Sequence, residues 1–206
     1  MFELPPPDPA IEIQLASRGY SKGLAQPGGA QFLIRGELET GQLFTQAQWK
    51  NIDTNNAGGE ALLLVGLHRR LGGFDVRLTA GYKILTGPRS TFDEDTFEFT
   101  AQASRAFGRF TPRLQLSWSP DDIGRTRRSL YAEASAAFRL ARNTSLTAYA
   151  GRRERSNGDD YTTFGAGFAQ KIGDHVTAEL RWYDTMQSGR GEAYEGRAVA
   201  ALRLRF

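Results

Sequence analysis

The feature that most constrains this 206-residue chain is the way its amphipathic segments are joined. From Ala10 onward, twelve stretches of at least ten residues carry apolar residues recurring at period two, except that 60–71 does not alternate cleanly and leaves its inward face open. They cover residues 10–20, 30–39, 42–52, 60–71, 74–85, 95–107, 109–119, 129–141, 144–154, 161–172, 175–185 and 192–206. Period two places alternate side chains on opposite faces of a strand, so each stretch reads as β. The Ala-rich stretch 129–141 has helical propensity. Even so, Leu130, Ala132, Ala134, Ala136, Phe138 and Leu140 keep strict alternation with Tyr131, Glu133, Ser135 and Arg139, which favours a strand.

After every even stretch the link is minimal: Thr40-Gly41, Gly72-Gly73, Gly108, Arg142-Asn143 and Gly173-Asp174. Gly and Asn tolerate the positive φ that tight hairpins need. After every odd stretch the link is longer and polar, over residues 21–29, 53–59, 86–94, 120–128, 155–160 and 186–191. Short turns therefore gather at one end of the sheet and long loops at the other.

Alternation alone does not say whether the apolar face meets a protein core or lipid, and a soluble sandwich or lipocalin-like binder is the rival reading. Strands of soluble proteins are mostly about 5–6 residues, whereas a tilted strand crossing a bilayer needs about 9–11. The stretches here belong to the longer class. The aromatics are sorted as well. Trp49, Tyr82, Trp118 and Trp182 stand on the apolar face near the long-loop end, while Phe74, Phe110, Phe138, Phe168 and Phe206 stand towards the tight turns. Two aromatic girdles flanking an aliphatic band are what the two membrane interfaces select. The expected fold is all-β: a transmembrane antiparallel up-and-down β-barrel of about 12 strands, with short periplasmic turns and longer extracellular loops. Residues 10–206 form its single domain, preceded by a Pro-rich periplasmic lead over residues 1–9.

Composition narrows the chemistry. There is no cysteine, so disulfides and thiolate metal sites are excluded. No run of 18 apolar residues occurs and mean hydropathy is −0.46, so no transmembrane helix is expected. Met1 leads straight into a polar, Pro-rich stretch, and the expectation is a mature form without an export signal. A net charge of +3 is too diffuse to indicate nucleic acid. His68 and His175 fall near the tight turns, away from a hydroxyl nucleophile, so no catalytic site and no cofactor are expected. Asp93, Glu94 and Asp95 lack the spacing of a Ca²⁺ loop and read as a solvated acidic loop. Arg125, Arg127 and Arg128 read as loop charge near the membrane surface.

Several short motifs resemble one family. "RGYS" (residues 18–21) followed by Pro27, "WSPDDIG" (118–124), "LYAEASA" (130–136), "DDYTTFGAGF" (159–168) and "RWYDTMQ" (181–187) are similar, in matching order, to the TorF-like family of outer-membrane porins. The stretch 60–71 departs from that pattern, with Leu62, Leu63, Leu64 and Val65 where the family carries polar residues or Tyr. The resemblance implies a barrel in a Gram-negative outer membrane, in contact with the lipid bilayer and lipopolysaccharide. Likeness to other such barrels implies that the closing strand, ending on Phe206, is read by the barrel-insertion machinery.

If the apolar face meets lipid, the other face lines a lumen. By parity its cations are Arg18, Arg35, Lys50, Arg77, Lys83, Arg113, Arg139, Arg153, Lys171, Arg181, Arg197, Arg203 and Arg205. Its carboxylates are Glu12, Glu37, Glu39, Asp75, Glu98, Glu133, Glu179 and Glu195. Two readings stay open. A cationic excess along a narrow path favours passage of small anionic solutes. Cross-strand Arg–Glu pairing instead plugs the barrel, which then acts through its loops.

Overall fold

The computed structural model describes residues 5–26, 28–53, 57–87, 94–124 and 126–206. Pro27, Asp93 and Arg125 lie outside the described residues. In chain order the strands are β1 (Asp8–Ala16), β2 (Tyr20–Ser21), β3 (Leu24–Ala25), β4 (Gln31–Thr40), β5 (Leu43–Asn51), β6 (Gly59–Leu71) and β7 (Phe74–Thr86). They continue with β8 (Asp95–Ser104), β9 (Phe110–Asp122), β10 (Arg127–Ala141), β11 (Thr144–Arg155), β12 (Tyr161–Ile172), β13 (Val176–Asp184) and β14 (Arg197–Arg205). β1 and β4 to β14 make a closed antiparallel barrel of twelve strands, each paired with its sequence neighbour. Pairing of β1 with both β4 and β14 closes it. β2 and β3 are a separate two-stranded hairpin within the first long loop.

Closure removes every sheet edge, so each wall strand bonds on both sides. What remains is the assignment of faces, and the register fixes it. Trp49 stands opposite Ile34, Tyr82 opposite Leu63 and Phe97, and Phe99 opposite Trp118, all on one face. That face is the exterior. Leu63, Val65 and Leu114 are each at least 60% exposed there. Described helices are confined to two 3-10 turns, Ser188–Arg190 and Glu192–Tyr194, and none is long and apolar enough to cross a membrane.

Three local departures from the period-two reading have physical causes. The first strand stops at Ala16 rather than near residue 20, because the chain leaves the wall to build the β2–β3 hairpin. The last strand begins at Arg197, since residues 188–194 are held in 3-10 turns. The Arg142-Asn143 turn contains no residue of positive φ, although Gly41, Gly72, Gly73, Gly108 and Gly173 all have one. A register shift between Arg139 and Ala141 precedes that turn, and the bulge supplies the twist that positive φ supplies elsewhere.

Candidate functional site

The barrel interior is filled on one side and open on the other. The filling element is the β2–β3 hairpin, which folds inward from the long-loop end and reaches the opposite wall. Its Lys22 ammonium pairs with Glu98 of β8 and lies 3.9 Å from Asp122 of β9. Burial pushes that ammonium below the usual lysine range, and the Glu98 charge opposes the shift. On β12, the Tyr161 hydroxyl donates to the Lys22 carbonyl at 3.0 Å, and Thr163 donates to the Gly23 carbonyl at 3.4 Å. Gly23 has φ +79°, and a Cβ there would overlap the Thr163 side chain, so this position requires glycine. The Tyr20 ring stacks on Tyr183 of β13 with centroids 3.7 Å apart, and burial raises the Tyr20 phenol pKa to about 12.

Around this clamp lies a polar core. Asp122 accepts from Ser129 at 2.6 Å and is paired with Arg153. Tyr131 donates to Glu133 at 2.6 Å, and Thr96 and Ser119 share a hydrogen bond of 2.7 Å. Ser119, Thr163, Tyr161 and Tyr131 are essentially inaccessible. The motif residues quoted above converge here: Tyr20 from the first, Ser119 and Asp122 from the second, Tyr131, Tyr161 and Thr163, and Tyr183 from the last.

The open side follows the inner faces of β13, β14, β1, β4 and β5 and is continued by residues of β6, β7 and β8. A cavity of about 280 Å³ lies next to the hairpin, lined by Arg18, Arg35, Lys50, Arg181 and Arg203 and by a single carboxylate, Glu179. A second, of about 210 Å³, is lined by Glu12, Arg35, Glu37, Arg77 and Arg205 together with Phe44 and Leu64. Arg35 lines both. Its guanidinium is held by Glu12 at 3.1 Å and by Gln48 at 2.8 Å, so it stands as a fixed post where the cavities meet.

Ion pairing along this wall is lopsided. Glu179 serves Arg181 and Arg203, each at 2.8 Å; Glu12 serves Arg35 at 3.1 Å and Arg203 at 3.8 Å; Glu37 serves Arg77 at 3.3 Å and Arg205 at 3.6 Å. Five guanidiniums thus share three carboxylates. Arginine stays charged in proteins, so the excess is permanent. Lys50 and Glu60, 3.1 Å apart, neutralise one another.

The remaining sequence-predicted residues are placed as follows. Lys83 faces inward against Glu98 at 3.7 Å, and Glu133 faces inward beneath Tyr131. Arg113 shares the inward register of Ser135, and Arg139 donates to the Gly108 carbonyl at 3.0 Å near the short turns. Arg197 meets Glu195 at 2.9 Å at the long-loop mouth. Arg18 sits on the loop after β1 rather than on a strand, 2.8 Å from Glu192. The inner face of β6, left open by the sequence, carries Glu60, Leu62, Leu64, Gly66, His68 and Arg70. His68 lies 3.8 Å from both Glu39 and Asp75, and His175 Nδ1 bonds the Arg205 carbonyl at 2.8 Å. Among the described residues no group of His, Asp and Glu converges as a metal site.

Outside, Trp49, Trp118 and Trp182 are 38–45% exposed near the long loops, and the Trp49 indole donates to Thr86 at 3.2 Å. Phe74 and Phe110 are exposed at the short-turn end, and Phe206 stacks on His175 at 5.3 Å. Tyr82 packs beside Phe97 with ring centroids 5.1 Å apart.

Neither protein-family models nor curated proteins match the sequence. Solved structures do match. The KdgM porin aligns with a TM-score of 0.69 at 6% identity, over 96% of this chain and 99% of that one. The NanC porin aligns with a TM-score of 0.61 at 8% identity, over 95% and 97%. An outer membrane channel from Pseudomonas putida F1 aligns with a TM-score of 0.56 at 12% identity, over 100% and 96%. The fold is that of outer-membrane porin and channel barrels. At these identities the likeness is one of architecture, and the charges of the lumen are this chain's own.

Proposed function

We propose that this protein is a porin of a Gram-negative outer membrane that passes small polar solutes, with a weak preference for anions, through a narrow path along one side of its lumen. The observation that carries the reading is the wall on which five guanidiniums share three carboxylates. Fixed cations of this kind lower the barrier for anions and raise it for cations. The membrane setting is supported by the exterior: a belt as apolar as Leu63, Val65 and Leu114 is not maintained in water, and aromatics flank it. In this setting the long loops face outward towards lipopolysaccharide. The lead, shortened to the residues before Asp8 because Asp8 and Pro9 pair in the wall as part of β1, lies on the periplasmic side with both termini. The β14 strand followed by Phe206 is the element presented to the insertion machinery. The resemblance to the TorF-like family agrees with this placement.

A second reading, a barrel plugged by its own loop, is favoured by one observation: the clamp that fastens Lys22 across the lumen. Single-channel recording in planar bilayers separates the two. Discrete conductance steps, with a reversal potential towards the chloride value under a KCl gradient, support the porin. Absence of steps supports the plug, and a potassium-directed reversal overturns the anion preference.

A further inference from the structure

The excess guanidinium charge along the open wall is concentrated rather than spread. We propose that the cavity beside the hairpin is a discrete binding site for one small oxyanion, a dicarboxylate or a phosphate, so that the pore holds its solute before releasing it. This rests on the porin reading above and adds a location, a stoichiometry and a ligand class to it.

The argument begins with what the cavity can and cannot hold. At about 280 Å³ it has room for about nine waters at roughly 30 Å³ each, enough for a small oxyanion with part of its hydration shell. Its wall has four guanidiniums and one ammonium; Lys50 is neutralised by Glu60, Arg18 is paired with Glu192 and Arg35 with Glu12, which leaves Arg181 and Arg203 against Glu179. Glu179 is itself buried and divided between Arg181 and Arg203. Each of those guanidiniums carries five N–H donors, so a carboxylate that bonds both leaves donors of each unsatisfied. An oxyanion, whether a planar carboxylate or a tetrahedral phosphate, presents the paired oxygens that such forked donors fit. Arg203 is divided again, its Nε lying 3.8 Å from Glu12.

The site is also built rather than loose. Tyr20 closes it from the hairpin side and is fixed by its stack on Tyr183. Arg35 closes it towards the second cavity and is fixed by Gln48 and Glu12. Pre-positioned charges lose little entropy when a ligand arrives, which distinguishes a site from a diffuse field. Beyond Arg35 the same pattern repeats with Arg77 and Arg205 sharing Glu37, which gives a released anion its next contact.

The test uses the whole protein in planar bilayers carrying chloride current, with inorganic phosphate and succinate as probes and acetate as the single-carboxylate control. A saturable, concentration-dependent reduction of the current by phosphate or succinate, stronger than by acetate, is expected. Whichever of the two is effective identifies the chemistry. The paired variant Arg181→Gln with Arg203→Gln should weaken half-saturation about tenfold, as loss of charged hydrogen bonds implies. Arg142→Gln in the short turn between β10 and β11 should not change it. Reduction that stays linear in concentration for every probe, with anion selectivity intact, overturns the site while leaving the porin reading standing. Loss of anion selectivity in the unmodified protein overturns both. Should the barrel carry no current, calorimetric titration of the detergent-solubilised protein with phosphate and succinate decides: one saturable binding event supports the site, and none overturns it.

Discussion

The Lys22 ammonium lies between the Glu98 and Asp122 carboxylates, 3.9 Å from the latter, and so ties a loop that leaves the barrel at β1 to the far wall formed by β8 and β9. It is one of several contacts that hold the hairpin across the lumen, beside the Tyr161 and Thr163 hydrogen bonds and the Tyr20–Tyr183 stack. The carboxylates it joins keep other cations, Lys83 for Glu98 and Arg153 for Asp122. The clamp is therefore removable without stranding a buried charge.

Replacing Lys22 by Met should raise single-channel conductance while the barrel stays folded. Removing the sole partner of a buried charge costs about 3–5 kcal/mol, and the retained cations should hold the loss here to about 1–2 kcal/mol. Conductance steps and the urea midpoint of the same preparation test both halves. Unchanged conductance would show that the Lys22 ion pairs are not what keeps the hairpin in the path.

Altering the charge ratio of the open wall should move selectivity in opposite directions. Glu179→Gln removes the negative charge shared by Arg181 and Arg203 and should shift the reversal potential further towards chloride. Arg203→Glu should shift it towards potassium, because two carboxylates, Glu12 and Glu179, then lose a cation and gain a like charge. A KCl gradient across a planar bilayer reads both variants, and equal reversal potentials would rule out this wall as the selectivity element.

Gly66 on β6 faces inward beneath the Phe44 ring, and a Cβ there would overlap that ring. Phe44 is 3% exposed and carries the Arg77 guanidinium 4.1 Å above its centroid. Gly66→Ala should therefore displace ring and guanidinium together, at about 1–3 kcal/mol as for other overpacked positions. Denaturant unfolding followed by tryptophan fluorescence measures it. A neutral result would mean that Phe44 swings freely.

Leu114, 63% exposed in the middle of β9, tests the environment of the exterior. In a bilayer, Leu114→Arg should cost about 2–4 kcal/mol and lower refolding yield into lipid vesicles. On a water-facing barrel the same change would improve solubility in buffer without detergent, and that outcome would reverse the assignment of faces.

Much of the wall was legible because a strand imposes its period on side chains whatever surrounds it. The stretch 161–172 coincides with β12, and the inward parity of Glu12, Arg35, Lys83 and Arg203 follows from counting by two. The clamp was not legible. Tyr20-Ser21 and Leu24-Ala25 flank Lys22-Gly23, a hairpin signal, yet nothing local says that this hairpin turns inward. The roles of Lys22 and Asp122 depend on partners 76 and 31 residues away, respectively, Glu98 and Arg153.

Sequence alone determined the number of wall strands, the separation of short turns from long loops and which charged side chains alternate with the apolar ones. Each is a property of local geometry: period two, turn chemistry and side-chain type. Tertiary structure decided which inward charges meet, that five guanidiniums on one wall share three carboxylates, and that the first long loop fills the opposite side. The physical reason is closure. Only when β14 pairs with β1 are Arg203 and Arg205 carried beside Glu12 and Glu37, residues from the two ends of the chain.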